Sequence, residues 1–303
     1  MKKNFTAKLK RFLGGENNYD SVGIRIGLAI CAFVLFLWSL TLLYPFFWAL
    51  INSFKTAPQY FANKMGFPPD GWHFENWVNA FTSLKVTLPN VQKVGFFTLI
   101  FNSLWYTFVG AFLTLAPSLM FSYVVAKYKF KFCKFLYAFS LVIMMIPIYG
   151  SMPANVKVFF SWGLADTPFY LIGGMGVIGG TTWLIFTSFM ESLPWTYAEA
   201  VFIDGGGHWT VFLKVMLPMC MPIFLAMYVV ECIAKWNDYL SPYIYLPSYP
   251  TLATGIYYLE ADLKWNMPQY FATTLISIIP VLVIFVLCQE QIMNNVTIGG
   301  IKG

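Results

Sequence analysis

This chain has little charge. Aspartate, glutamate, lysine and arginine make up 11% of its 303 residues, where a soluble domain carries roughly 25%. The shortage excludes a water-facing surface over most of the length. Histidine is almost missing, with only His73 and His208. They lie far apart, so no histidine pair for metal binding or catalysis is expected. The five cysteines, Cys31, Cys133, Cys220, Cys232 and Cys288, fall inside apolar stretches or at their edges. An odd count without metal-ligand spacing argues against both a disulfide framework and a zinc site.

The sequence also lacks any GxxxxGKS or GxxxxGKT phosphate loop, nucleophile elbow or hydrolase carboxylate pair. The chain is therefore not expected to bind ATP by that motif or to be an enzyme. No cleavable signal peptide is expected either. The first apolar run starts near Ile24 and is too long for a signal core. No internal repeat stands out.

What is present is apolar and clustered. Hydrophobic residues make up 58% and aromatics 20% of the chain, and the mean hydropathy is +0.64. Six apolar segments each approach or exceed the ~20 residues that cross a bilayer as a helix. They run about from Ile24 to Ile51, Phe96 to Ala126, Phe135 to Val158, Phe169 to Phe189, Met219 to Tyr245 and Tyr270 to Gln289. The third is interrupted by Pro147 and Pro153, and the fourth is rich in glycine. There Gly176 and Gly180 form a small-xxx-small pair suited to close helix packing. Interfacial belts and lipid-facing phenylalanines account for most of the aromatic excess. The expected fold is an all-α polytopic membrane protein with six transmembrane helices.

Cationic residues set the orientation. The arm at residues 1–23 carries Lys2, Lys3, Lys8, Lys10 and Arg11, with Arg25 just beyond. The short loop after the second segment carries Lys127, Lys129, Lys131 and Lys134. With six spans both fall on one side, which should be cytoplasmic. Both termini and the Glu199 segment then face the cytoplasm. The net charge of +6 is topological and does not call for nucleic acid. Lys55, Lys64, Lys85 and Lys93 lie in the opposite loop, 52–95. They weaken the asymmetry without reversing it, because short loops count most. Within that loop, Phe74-Glu-Asn-Trp-Val-Asn-Ala-Phe reads either as a short amphipathic surface helix or as a plain structured loop.

Two polar features break the apolar pattern. Residues 191–218 hold Tyr197-Ala-Glu-Ala-Val-Phe-Ile-Asp-Gly-Gly-Gly-His-Trp, then Leu217-Pro-Met-Cys-Met-Pro222. Pro194 suits a helix start, Thr196 to Phe202 reads as a short helix, and Asp204-Gly205-Gly206-Gly207 as a sharp turn. His208 to Met216 reads as a second helix with Trp209, Phe212 and Leu213 on one apolar face. Pro218 and Pro222 should close this unit and start the fifth span. The other feature is the charge inside that span. Glu231 and Lys235 are spaced to pair on one helix face, and Trp236, Asn237 and Asp238 follow. An ionisable group deep in a membrane costs roughly 2.5–3.5 kcal/mol on insertion scales. These residues therefore either line a translocation path or pair with a neighbouring helix.

The Glu199-Ala200-x-x-x-Asp204-Gly205 pattern with Phe212 and Leu217-Pro218-x-x-x-Pro222 resembles the EAA loop of ABC-importer permeases. Trp236-Asn237-Asp238-Tyr239-Leu240-Ser241-Pro242, Gly163-Leu-Ala-Asp-Thr167, Asn102-Ser103 and the ending Thr297-Ile-Gly-Gly-Ile-Lys-Gly303 are similar to the same family, in its MalG-like carbohydrate branch. The resemblance runs from about Phe96 to the carboxyl end. It departs at Val201, where the family usually has alanine, and near Gly206, where it has Ala or Ser.

That resemblance implies a type I importer permease fold. It has a six-span domain over 24–293, a cytoplasmic coupling helix within 191–218, and a tail at 294–303. Glu199, Ala200, Asp204, Gly205, Gly206, Phe212 and Pro218 would couple to an ATPase, with Asp204 bonding turn amides. Gly299, Gly300 and Lys302 of the tail would touch it. Glu231, Lys235, Trp236 and Asn237 are candidates for the translocation path. The implied partners are a second homologous permease, two ABC ATPase subunits, an extracellular or lipid-anchored sugar-binding protein and the bilayer of a bacterial plasma membrane. ATP and magnesium would sit on the ATPases, and no cofactor on this chain. An ion-gradient-driven secondary transporter is the competing reading, for which Glu231 and Asp238 are the only hints. A membrane scaffold or sensor would explain the docking loop but not the charges inside a span.

Overall fold

A computed structural model describes residues 22–128, 130–146, 152–174, 179–262 and 266–296. The first helix, α1 (Val22–Ser53), is one unbroken rod that includes Pro45. Its side chains from Ile26 to Phe47 are exposed all round. A helix apolar on every face and open on every face is a lipid-facing span. Only its last turns turn inward, where Asn52 and Ser53 are buried.

The loop that follows is structured. It contains α2 (Ala57–Ala62) and α3 (Glu75–Ser83), then a small antiparallel hairpin, β1 (Lys85–Thr87) with β2 (Lys93–Gly95), in register Val86 to Val94. The hairpin is an addition to the expected all-α fold. Thr56 and Gln59 form a reciprocal capping box that starts α2. The sequence left α3 open between a helix and a loop; it is a helix, pinned to the bundle. Asn76 Nδ2 donates to the carbonyls of Ser53 and Lys55, and Trp77 Nε1 to Ser53 Oγ. Lys55 is wholly buried, with Nζ donating to the Asn63 carbonyl at 2.8 Å. Burial lowers its pKa.

The central helix is α4 (Phe96–Lys127). Asn102, Ser103, Thr107, Ser118 and Ser122 are all buried on it. Small polar residues of this kind let helices approach and bond each other inside a membrane. Ser122 Oγ, for example, lies 3.2 Å from the Trp183 carbonyl.

The third and fourth segments are not single rods. The third is α5 (Lys131–Met145) and α6 (Met152–Ser161); α5 ends at Ile146, which takes the extended ψ of 111° favoured before a proline. The fourth is α7 (Tyr170–Gly173) and α8 (Thr181–Ser192). Gly180 is not in a helix, contrary to the packing role expected for it. It caps α8 at φ +89°, beside Gly179 at φ +87°. Gly176 lies outside the described residues. The close approach comes from Gly173, where a Cβ would sit 2.1 Å from the Phe159 ring.

After a short helix α9 (Thr196–Ile203), α10 (His208–Val211) runs through a π turn (Phe212–Met216) into α11 (Leu217–Trp236). His208–Trp236 is thus one continuous span of 29 residues. It starts earlier than expected and ends earlier. Residues to Tyr245 belong instead to the short helix α12 (Leu240–Tyr245). Then come α13 (Leu252–Asp262) and α14 (Met267–Val296), which is the sixth segment. Two of the packed cores among the described residues flank the site. One joins Phe186, Met190, Ala198, Val211, Phe212 and Met216 at the Glu199 end. The other joins Leu84, Leu99, Trp236, Leu252, Leu259 and Ile276 at the long-loop end.

Candidate functional site

At the Glu199 end, α9 stands out from the bundle but is anchored from behind. Leu193 leads in with its carbonyl accepting from Lys127 Nζ. Pro194 precedes the helix by two residues rather than opening it. Ala198 is fully buried against the core. Its neighbours Glu199 and Ala200 are exposed, as is Asp204. Glu199 lies in the first turn, where the helix dipole favours an anion. The helix therefore presents a carboxylate and a small flat patch outward while one alanine holds it in place.

Backbone bonds close the turn, not the Asp204 side chain. The amides of Asp204, Gly205 and Gly206 donate to Ala200, Phe202 and Val201. Among the described residues, the Asp204 carboxylate makes no bond to the turn amides, because it points into solvent. Gly205 is required by its conformation, φ +78°. Gly206 is required by space: a Cβ there would meet Val201 Cγ1 at 2.5 Å. The two departures from the family pattern thus fit each other. The larger side chain at 201 occupies room that the missing side chain at 206 leaves.

The second helix differs from its expected face. Phe212 is 6% exposed, while Trp209 is 67% and Leu213 54% exposed. The buried set is Val211, Phe212 and Met216, because the π turn widens the spiral and shifts the register. The Leu217 amide bonds the Phe212 carbonyl, five residues back. Pro218 therefore sits inside a continuous rod rather than at a break. His208 Nδ1 meets Tyr128 Oη at 2.7 Å. This contact ties the start of α10 to the end of α4, and its two residues are 80 positions apart.

At the long-loop end, the charged residues at and just past the end of α11 gather in one group, while their neutral neighbours turn away. Glu231 and Lys235 pair at 3.7 Å. Lys235 Nζ lies 5.7 Å from the centre of the Tyr106 ring, near enough for cation–π attraction. Its stem packs where Gly110 has no side chain; a Cβ there would lie 2.8 Å from Lys235 Cδ. Tyr106 Oη donates to Asp238 Oδ2 at 2.8 Å, and Asp238 Oδ1 accepts from the Ser241 amide. Trp236 and Asn237 turn away from this group. Trp236 is buried and its Nε1 donates to the Ser277 carbonyl on α14. Asn237 is exposed and Nδ2 donates to Ile233 O. Asn102 and Ser103 fix the chain beyond, with Asn102 Nδ2 donating to Pro250 O and Ser103 Oγ accepting from the Leu252 amide. In the outer turn, Asp166 takes φ +55°. Its carboxylate accepts from both the amide and the hydroxyl of Ser248 at 2.7 Å.

Tyr106, Gly110 and Tyr128 carry these contacts and were not picked out from the sequence. A tyrosine or glycine in an apolar run has no local signal. Gly299, Gly300 and Lys302 lie outside the described residues.

Residues 118–291 match the family described as binding-protein-dependent transport system inner membrane component. This stretch is more than half of the chain and includes α9, the π turn and α11. The chain belongs to that family. As a whole the permease is 28% identical over 89% of its length to the diacetylchitobiose uptake system permease protein of Streptomyces coelicolor, covering 88% of that protein. It is 27% identical over 90% of its length to the arabinooligosaccharides transport system permease protein of Bacillus subtilis, covering 95% of it. A solved structure of a bacterial ABC transporter involved in alginate import has the same fold. The TM-score is 0.70 over 90% of this permease and 99% of that chain, at 19% identity. The permease is thus an inner-membrane transport component of type I fold.

Proposed function

We propose that the chain is the transmembrane subunit of an ATP-driven, binding-protein-dependent importer for an oligosaccharide or related carbohydrate. It forms half of the translocation path. Its partners are a second homologous permease, two ABC ATPase subunits and a sugar-binding protein on the outer face. ATP and magnesium are held by the ATPases, and both termini are cytoplasmic. The sugar relatives support the substrate class. The cationic arm and loop support the orientation.

One observation carries the coupling role. α9 exposes Glu199, Ala200 and Asp204 while Ala198 is buried in the core that also holds Phe212 and Met216. A push on α9 therefore reaches a rod that runs unbroken to Trp236. ATP-driven closure of the ATPases would move α9, tilt this rod and open the path between the two permeases. Glu199, half-desolvated in a groove, would pair with a basic group there; Ala200 permits close approach. The tail residues Gly299, Gly300 and Lys302 would reach the same ATPase. Glu231, Lys235, Trp236 and Asn237 would line or frame the path. A secondary transporter needs a free proton or ion relay. Glu231 and Asp238 are instead engaged with Lys235 and Tyr106.

Replacing Glu199 by alanine tests this in the reconstituted complex. ATP-dependent uptake should fall about tenfold or more, the equivalent of losing ~1.4 kcal/mol of coupling. Copurification of the ATPase should weaken while membrane insertion stays intact. Full ATP-dependent uptake with undiminished copurification would overturn the coupling role.

A further inference from the structure

At the long-loop end a cavity of about 340 Å³ opens between the end of α11, the helix α13 and α14. It lies on the face of α11 opposite the Lys235–Tyr106–Asp238 group, since Trp236 and Asn237 form its wall. Its chemistry is mixed. Tyr239, Tyr257 and Tyr270 supply rings, and Asn237, Glu260 and Thr274 supply polar atoms. A second cavity, about 430 Å³ at the Glu199 end, is lined by Met120, Phe121, Val124, Phe130, Trp209 and Phe212 among others. That apolar cavity suits hydrocarbon. The mixed one does not, because an exposed carboxylate or amide facing lipid is costly. It must open to water.

The rings are held in place before any ligand arrives. Tyr239 and Tyr257 are stacked with centroids 4.9 Å apart. Tyr243 extends the row at 5.4 Å from Tyr257, and Tyr258 continues it at 5.5 Å from Tyr243. All four tyrosines are exposed. Thr254 Oγ1 donates to the Tyr239 carbonyl, which locks α13 to the end of the span. Gly255 lets α13 lie against α4; a Cβ there would meet Leu99 at 2.8 Å. The row therefore stands on rigid elements, as a binding surface requires. The hydroxyls of Tyr239 and Tyr257 make no hydrogen bond among the described residues, so they are available to a ligand.

We propose that this cavity is a saccharide subsite, and that the tyrosine row leading from it receives further units of the same chain. This rests on the carbohydrate reading above. A pyranose has an apolar C–H face and a rim of hydroxyls. An amphipathic ring platform with a few placed polar groups matches both. The volume lies at the small end of ligand sites of roughly 300–1,000 Å³, which suits one or two sugar units. Glu260 at the wall rejects a uronate by like charge, so the subsite takes uncharged units.

The test uses the purified permease–ATPase complex without its binding protein. The probes are radiolabelled chito-, arabino- and malto-oligosaccharides of increasing length. Wild-type import of at least one of them, with the binding protein and ATP, comes first. If none is imported, the carbohydrate reading fails and the subsite with it. For an imported sugar, Tyr257→Ala should raise the Kd of the complex about tenfold, and more for long oligomers than for the shortest. Tyr257→Phe, which keeps the ring and removes the hydroxyl, should fall between wild type and Tyr257→Ala. Asn237→Ala and Thr274→Val provide the same readout should Tyr257→Ala fail to assemble. Glu260→Gln should let an oligouronate compete. Unchanged Kd at every length in Tyr257→Ala, Asn237→Ala and Thr274→Val, while import persists in the wild type, overturns the subsite.

Discussion

The two ends of one helix, His208–Trp236, each pack into an apolar core but differ in what else holds them. The Glu199 end is held by apolar packing, with Val211 and Met216 wholly buried and Phe212 nearly so. Glu199 and Asp204 are exposed there, beside the ties of Lys127 to Leu193 and of Tyr128 to His208. The long-loop end adds a set of polar contacts to its apolar core: Tyr106 to Asp238, Trp236 to Ser277, Asn102 to Pro250 and Ser103 to Leu252. The difference suits their tasks. Packed apolar surfaces transmit a push without a preferred direction and resist compression. Directional bonds hold a broken backbone, here the gap between α11 and α12, in a single geometry. A rod that is driven at one end and shaped at the other needs both.

The contrast can be broken most severely at the driven end. Phe212→Ala removes a buried ring from the core under α9 and should cost about 3–5 kcal/mol. Thermal denaturation of the complex in detergent should show a large drop in midpoint together with loss of ATPase binding. An unchanged midpoint would mean that α9 is not held by this core. Next is Tyr106→Phe, which leaves the Asp238 carboxylate short of a donor. Hydrogen bonds to charged groups are worth about 1.5–3 kcal/mol. Uptake should fall while ATPase copurification holds, which separates the two ends. Equal loss of both would mean that the two ends do not act separately.

The smallest change sharpens the docking turn. Gly206→Ala should overpack against Val201 and cost about 1 kcal/mol. Adding Val201→Ala should recover part of that loss, because the Cγ1 in the way is gone. A double variant no more stable than Gly206→Ala would show that the Val201 carbonyl, 3.0 Å from the same position, sets the limit instead. Thermal midpoints of the two variants decide between these results.

Much of this was legible along the chain. The first and second spans and α9 agree with the reading to within two residues at their ends. Each is set by local sums: hydropathy over about twenty residues, or a glycine where φ must be positive. The misreadings arise where a second layer intervenes. Gly180 looked like a packing surface but serves as the cap of α8. Trp209 and Leu213 share an apolar face with Phe212 by helical spacing, yet the buried set is Phe212 with Val211 and Met216, beside the π turn. The extra residue in a π turn is invisible to a 3.6-residue count. Asp204 looked like a turn cap, but backbone amides had already closed the turn.

By itself the sequence determined that the chain is an apolar multi-span protein, and that one polar, glycine-bearing segment interrupts it. It also determined that Glu199, Ala200 and Asp204 share this segment with Gly205. These follow from composition and order alone, because burial in a bilayer and backbone permissiveness act residue by residue. Only the tertiary structure decided which residues meet. Tyr106 and Asp238 are 132 positions apart, and Asp166 and Ser248 are 82 apart. Gly206 needs Val201 beside it, and the tyrosine row needs α13 laid against α4 across Gly255. Such pairings depend on distances in space, which no sum along the chain contains.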